Sequence, residues 1–280
     1  MAKLRELEIG VMFWAGRDPL ETVREVKNLG VRCGQIGVPG DVNVGETAAL
    51  KWKEALESED FTVVTVFCAY VGEDYADAPT VQKTVGFIPR ATREEREART
   101  IEVSDFGKKI GAPAIACHVG FVPEDQNDPD YKSVLGMVRR ICDHAASNGQ
   151  TFALETGQEP ANVLLEFFKD VDRPNLRINF DPANMILYGT GDPIEAVGIL
   201  GPQVETVHAK DGDWPPKNVN GALGTEKPLG QGSVGMERFM NKLKEIGYKG
   251  TVNVEREGTT PEQWRKDVGE AVKLLERIRG

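Results

Sequence analysis

No CxxC pair occurs among the four cysteines, Cys33, Cys68, Cys117 and Cys142. Three of them fall in strand-like apolar runs, a usage that fits small core hydrophobes in a reducing cytosol. Long apolar segments are missing too. No run approaches the ~18 residues of a membrane span. The N-terminal MAKLRELEIGVMFW lacks the extended apolar stretch of a secretory signal. Positive charge is in deficit: 34 Lys and Arg against 44 Asp and Glu give a formal net charge of −10. That sign opposes non-specific binding to nucleic acid, although a local basic pocket is compatible with it. No GxGxxG follows the first strand-like run, which weighs against an open dinucleotide-binding sheet. These absences predict a soluble, cytoplasmic protein with neither a membrane nor a nucleic-acid partner.

What is present is an alternation. The 280 residues, 40% hydrophobic and 28% charged, can bury a sizeable core without staples. Strand-like runs at 7–14, 31–39, 62–70, 114–120, 150–157, 177–184, 204–211 and 250–258 are followed by amphipathic stretches. Those stretches cover 18–29, 46–59, 91–110, 129–148, 160–170, 192–200, 234–246 and 261–279. In the first, Leu20, Val23, Val26 and Leu29 recur at helical spacing. "NLG", "KIG", "SNG" and "EIG" mark helix ends that glycine would cap. A polar insertion occupies 71–90, and a long Pro/Gly loop follows the seventh strand. Strands separated by helical crossovers imply a parallel sheet. Eight such units predict an α/β fold, a (β/α)8 TIM barrel, as one domain over 1–280. Its active site would lie at the C-terminal ends of the strands.

Residues 177–187 read RINFDPANMIL, an apolar run that delivers Asp181 just before a proline. Such an aspartate could cap the next helix. Three other strands end alike: FALE at Glu155, VHAKD through His208, and NVERE through Glu255. Barrel closure places consecutive strand tips around one mouth. Three carboxylates and an imidazole then make a plausible site for one divalent cation, Mn²⁺ first among Mg²⁺, Co²⁺ and Zn²⁺. A cation also explains how three close carboxylates stay ionised.

FALETGQE, NFDPANMILYGTGDP, VHAKD, PLGQGSVG and NVERE strongly resemble the sugar phosphate isomerase/epimerase group of the xylose-isomerase-like barrels. The resemblance spans nearly the whole chain and is sharpest in strands five to eight. It implies that Glu155, Asp181, His208 and Glu255 bind one divalent ion, with Glu155 and Glu255 also the catalytic proton-transfer pair. Ketose 3-epimerases of the group often carry a histidine three residues after the strand-six aspartate, to touch substrate. Here that position is Asn184, so the contact differs. Endonuclease IV-like repair enzymes share the superfamily but need a histidine-rich trinuclear zinc site. Three histidines in total and a negative net charge argue against the repair reading. Barrels of the group often associate, so the resemblance also raises a homo-oligomer.

Other residues carry two readings each. His118 ends strand four, where it either hydrogen-bonds a substrate oxygen or is a satisfied structural histidine. His144, late in a helix, reads as structural. Gln158 and Glu159 follow Glu155; one could contact substrate, and Glu159 could equally open a helix. Alternation aims Lys210 with His208, where it could meet an anionic group or a developing oxyanion. The same logic turns Arg256 away from the mouth. Trp14 could wall a sugar face or pack in the core. The glycine-rich loops permit close approach to a ligand and could form a lid. Lys217 and Lys227 could recognise phosphate or be merely solvated. The function expected is metal-dependent isomerisation or epimerisation of a small polyhydroxy carbonyl substrate, a sugar or sugar phosphate. Proton abstraction next to the carbonyl would give a metal-stabilised enediolate. An inosose-type dehydratase shares that intermediate, and a non-catalytic sugar- or metal-binding barrel is the alternative from another class.

Overall fold

Aspartate or threonine followed closely by proline opens many of the helices. Asp18 accepts from Glu21 N at 3.0 Å before Pro19, and Asp128 from Asp130 N at 2.7 Å before Pro129. Asp192 accepts from Ile194 N at 2.7 Å before Pro193, and Thr260 from Gln263 N at 3.3 Å before Pro261. The acceptor satisfies an orphan N–H, and proline presets the first helical φ. At the other ends Gly30, Gly111, Gly149 and Gly247 all take positive φ, as the sequence pattern predicts.

The computed structural model describes residues 4–280. Its strands are β1 (Ile9–Trp14), β2 (Cys33–Val38), β3 (Thr62–Cys68), β4 (Ala114–Cys117), β5 (Thr151–Glu155), β6 (Leu176–Phe180), β7 (Val204–Ala209), β8 (Asp211–Asp213), β9 (Thr225–Lys227) and β10 (Val252–Val254). The helices are α1 (Pro19–Lys27), α2 (Glu46–Ser58), α3 (Ala78–Thr84), α4 (Arg93–Ile110), α5 (Pro129–Ser147), α6 (Ala161–Val171), α7 (Pro182–Tyr188), α8 (Pro193–Leu200), α9 (Met236–Glu245) and α10 (Pro261–Arg279). Strands β1 to β7 and β10 form one closed parallel barrel, in which β1 pairs with both β2 and β10. The fold is the (β/α)8 TIM barrel that the alternation predicts. No helix among the described residues is long and apolar enough to cross a membrane.

Strand limits differ from the sequence pattern at the mouth. The run 177–184 stops pairing at Phe180, because Pro182 both ends the strand and begins α7. The eighth barrel strand keeps only Val252–Val254 of 250–258. The insertion 71–90 contains α3, and the Pro/Gly loop after β7 contains the antiparallel β8–β9 ribbon. These two segments meet: Ala78 N donates to Gly221 O at 3.0 Å.

Register explains what fills the barrel. Residues paired across parallel strands point to the same face. Phe67, Ala116 and Ala153 are linked in register and join Met12 in a small apolar cluster, separate from the large core between strands and helices. Gln35, Asn179, Thr206, His208 and Asn253 belong to the same inner face by register. Phe67 lies close to the His208 ring, at 6.1 Å between centroids. The inside of the barrel is thus part apolar plug and part polar network.

Candidate metal centre

Four elements deliver the site. Glu155 ends β5, Asp181 follows β6, His208 lies in β7, and Glu255 follows β10. All four are buried, and one ligand atom from each lies within 4.8 Å of every other. His208 Nδ1 stands 2.8 Å from Glu155 Oε1, 2.9 Å from Glu255 Oε2 and 3.6 Å from Asp181 Oδ2. Despite this crowding, none of those three oxygens has a well-aligned hydrogen bond among the described residues; their close neighbours are the cationic groups of His208 and Lys210. Buried carboxylate oxygens normally find donors. Three that do not, aimed with an imidazole nitrogen at one point, fit a hard or borderline divalent cation. The residues present therefore suit the metal that the resemblance implies.

Asp181 serves both roles that the sequence left open. Its Oδ1 caps α7, accepting from Ala183 N at 2.8 Å and Asn184 N at 3.0 Å. Its Oδ2 is left for the cluster. Glu155 is likewise divided: Oε1 faces the cluster and Oε2 takes His118 Nε2 at 2.8 Å. Burial would raise the Glu155 pKa, but His118 and His208 outweigh it and hold the carboxyl well below its usual range. Burial likewise opposes charging His208, yet Glu255 and Glu155 push its pKa well above the ordinary value.

A polar layer beneath the cluster orients His208. Gln35 Nε2 donates to Asn179 Oδ1 at 2.9 Å, which leaves Gln35 Oε1 facing His208 Nε2 at 2.9 Å. An amide oxygen can only accept, so Nε2 carries a hydrogen, and the proton on Nδ1, held by Glu155 and Glu255, is the one that a cation would displace to reach the lone pair. Asn179 Nδ2 lies 3.1 Å from Nε2 and 3.4 Å from Nδ1. Two such similar distances place it over the ring rather than along one lone pair. Gln35 and Asn179 were not singled out from the sequence. Their signal was a polar residue inside a strand otherwise buried on both faces.

Glu155 and Glu255 of the cluster line a cavity of about 650 Å³. Lys210, Asn184 and His118 line it, as do Trp14, Tyr75 and Tyr188. Lys210 is buried, with Nζ 3.2 Å from Glu255 Oε2, 3.2 Å from Glu257 Oε2 and 3.8 Å from Asp181 Oδ2. Burial disfavours its charge, but the carboxylates, Glu255 foremost, raise its pKa well above the ordinary value. His118 Nδ1 lies 3.2 Å from the side-chain amide of Gln158.

Glu159 is placed elsewhere. It lines a separate cavity of about 200 Å³, with Oε1 accepting from Val122 N at 2.9 Å, and burial raises its pKa to about 7. Its neighbour Gln158 is the one turned towards the mouth. Arg256 faces away, bonding Asp267 at 2.9 Å and Glu226 at 2.8 Å. His144 pairs with Asp105 at 2.8 Å on the outer helices. Lys217 and Lys227 do not line the cavity, and Lys227 pairs with Asp213 at 3.6 Å. The glycines of PLGQGSVG approach a carboxylate of the chain itself: Asp211 accepts from the N–H groups of Gly212, Gly230, Gly232 and Val234 at 2.9 to 3.1 Å.

Known proteins share this architecture. The xylose isomerase domain protein of Planctomyces limnophilus is 42% identical, with a TM-score of 0.93 over 98% of both chains. A xylose isomerase-like TIM barrel protein of Mycobacterium smegmatis, solved in complex with magnesium, is 19% identical, with a TM-score of 0.68 over 93% of this chain and 87% of that one. A D-tagatose 3-epimerase-like protein is 18% identical, with a TM-score of 0.72 over 97% and 98%. Other barrels of this fold include sugar epimerases and a probable dehydratase. An uncharacterized protein of Methanocaldococcus jannaschii is 26% identical over 183 residues, 61% of this chain. The match spans 57% of that curated relative's length. Residues 23–278 match the family model described as xylose isomerase-like TIM barrel, and the chain belongs to that family.

Proposed function

We propose that the chain is a divalent-metal-dependent isomerase or epimerase of a small polyhydroxy carbonyl compound. One observation carries the reading: Glu155 Oε1, Asp181 Oδ2 and Glu255 Oε2, each buried without a well-aligned hydrogen bond, converge with His208 Nδ1, and Glu155 and Glu255 open onto the cavity. A divalent ion such as Mn²⁺ or Mg²⁺, when bound there, supplies Lewis-acid stabilisation of the charge that develops on a carbonyl oxygen. Glu155 and Glu255 both line the cavity. Glu155 is kept ionised by its histidine neighbours and oriented by His118, as a base that removes a carbon-bound proton must be. Glu255, held beside Lys210, returns a proton relayed from the Lys210 ammonium at 3.2 Å, and solvent takes up the proton from Glu155 and restores that of Lys210. Return to the opposite face epimerises the substrate, and return to the neighbouring carbon isomerises it. Asn184 and Lys210 contact the substrate from the wall. The mechanism requires no nucleic acid and no membrane.

Dehydration is the second reading, and His118 favours it. Burial lowers its pKa, but Glu155 more than compensates and raises it to about 9. A protonated imidazole on the cavity wall can donate to a departing β-hydroxyl. The deciding test loads the purified protein with Mn²⁺ and follows exchange of substrate α-protons with D₂O by NMR over a panel of ketoses, aldoses and inososes. The product that accompanies exchange separates the three reactions. Protein that binds metal well and exchanges nothing is a binding barrel, and the catalytic reading fails.

A further inference from the structure

We infer that the cavity selects an uncharged polyhydroxy compound over its phosphorylated counterpart, and that Glu257 sets this preference. The inference rests on the sugar-site reading above. Besides the ligands Glu155 and Glu255, the wall carries Glu73, Asp77, Glu226 and Glu257. Among the described residues lining it, Lys210 is the single lysine or arginine.

A phosphate monoester needs free donors: a guanidinium fork, an ammonium group or the N-terminus of a helix. Here each is already engaged by a carboxylate. Lys210 Nζ is shared between Glu257 and Glu255, at 3.2 Å from each. Arg256, next in sequence to a ligand, is turned behind the wall to Glu226 and Asp267. The two helices that contribute residues to the cavity lining are capped from within, α3 by Asp77 and α7 by Asp181. A dianion in the outer cavity would meet carboxylates at short range, beside low-dielectric walls that strengthen repulsion. The remaining lining suits a neutral polyol: Trp14, Phe67, Tyr75 and Tyr188 offer apolar faces.

Glu257 is the adjustable element. It is not one of the four converging ligands. Its side chain reaches Lys210 from the exposed side of the wall. Removing its charge leaves Lys210 with donors to spare and takes one negative charge out of the outer cavity.

The test compares a hexitol with that hexitol's terminal phosphate monoester, by calorimetry on the Mn²⁺-loaded protein. Both probes present the same hydroxyls and differ only at the far end. The wild type is expected to bind the hexitol about tenfold more tightly, and Glu257→Gln to shrink that ratio about threefold or more. Metal titration of each protein confirms equal loading. Tighter binding of the phosphate by the wild type, or a ratio unmoved in Glu257→Gln, overturns the inference. Proton exchange is run in parallel on a ketose and its phosphate. Exchange on the phosphate alone sinks the inference and leaves the proposed chemistry standing. No binding of either probe and no exchange on either compound sinks the sugar-site reading itself.

Discussion

His118 Nε2 lies 2.8 Å from Glu155 Oε2, the oxygen that does not face His208. The ion pair makes stability depend on pH. Burial disfavours the charged ring, yet Glu155 lifts the His118 pKa from 6.5 to about 9. A histidine whose pKa rises on folding contributes stability that is complete below the unfolded value and is lost as pH climbs through the folded one. Chelator-treated protein should therefore weaken between about pH 6 and about pH 9.5, by roughly 2–3 kcal/mol more than His118→Gln does. Urea titrations of both proteins at the two pH values measure it. Equal losses would show that the pair contributes nothing in this window.

Asp181 offers two substitutions that separate its two roles. Asp181→Asn keeps an oxygen to cap α7 but removes the charge beside the cluster. Asp181→Ala removes both. Both variants should lose divalent-metal affinity by at least tenfold. The alanine variant alone should also lose about 1 kcal/mol of metal-free stability, the worth of an N-cap. Calorimetric metal titration and chelator-treated denaturation read the two effects independently. Equal stability of the two variants would mean that the cap contributes nothing.

The four converging residues were legible because each interrupts an apolar run at a strand tip, and barrel closure brings consecutive tips together. Lys210 was legible because alternation persists through the end of β7. Alternation fails two residues beyond β5, where Gly157 sits at φ 147. Its backbone re-aims the loop, so Gln158 meets His118 while Glu159 turns to Val122. No pattern of residue types marks that twist in advance. The contact between the 71–90 segment and the loop before β9 was equally hidden, since neither segment has a periodic apolar face. The mouth was also read as having longer strands than it does. Polar tips look like strand to a pattern, but the ladder has already ended where the chain bends over the cavity.

Gln35 supplies a test of how the metal ligand is prepared. Its Oε1 accepts from His208 Nε2 at 2.9 Å and thereby leaves Nδ1 as the nitrogen that meets a cation. Gln35→Met preserves the length but removes the acceptor. Metal affinity should fall about ten- to a hundredfold, the usual effect of losing such an outer partner. Gln35→Glu keeps an acceptor and should retain most of the affinity. Nitrogen-15 shifts of the His208 ring should show mixed tautomers in the methionine variant. Unchanged affinity together with a single tautomer in that variant would sink the assignment.

Gly232 tests whether the cavity wall can be loosened without touching the proposed metal ligands. A Cβ at this position would lie 2.6 Å from Gly212 N and closer still to the Asp211 carboxylate, which already holds four backbone N–H groups. Gly232→Ala must therefore displace that carboxylate or the loop, at a cost of roughly 2 kcal/mol for the buried hydrogen bonds disturbed. The consequence should travel along the ribbon. Glu226 in β9 accepts from Glu257 N at 3.0 Å and from Arg256 at 2.8 Å, so a shifted ribbon slackens the wall that holds Lys210. The proposed metal ligands are held at the ends of the barrel strands, and the ribbon reaches Glu255 and Asp181 through Lys210. Gly232→Ala should bind Mn²⁺ nearly as well as the wild type while losing affinity for a polyol about threefold or more. A parallel loss of both affinities would mean that the ribbon supports the cluster itself, and the separation of wall from metal centre would be wrong.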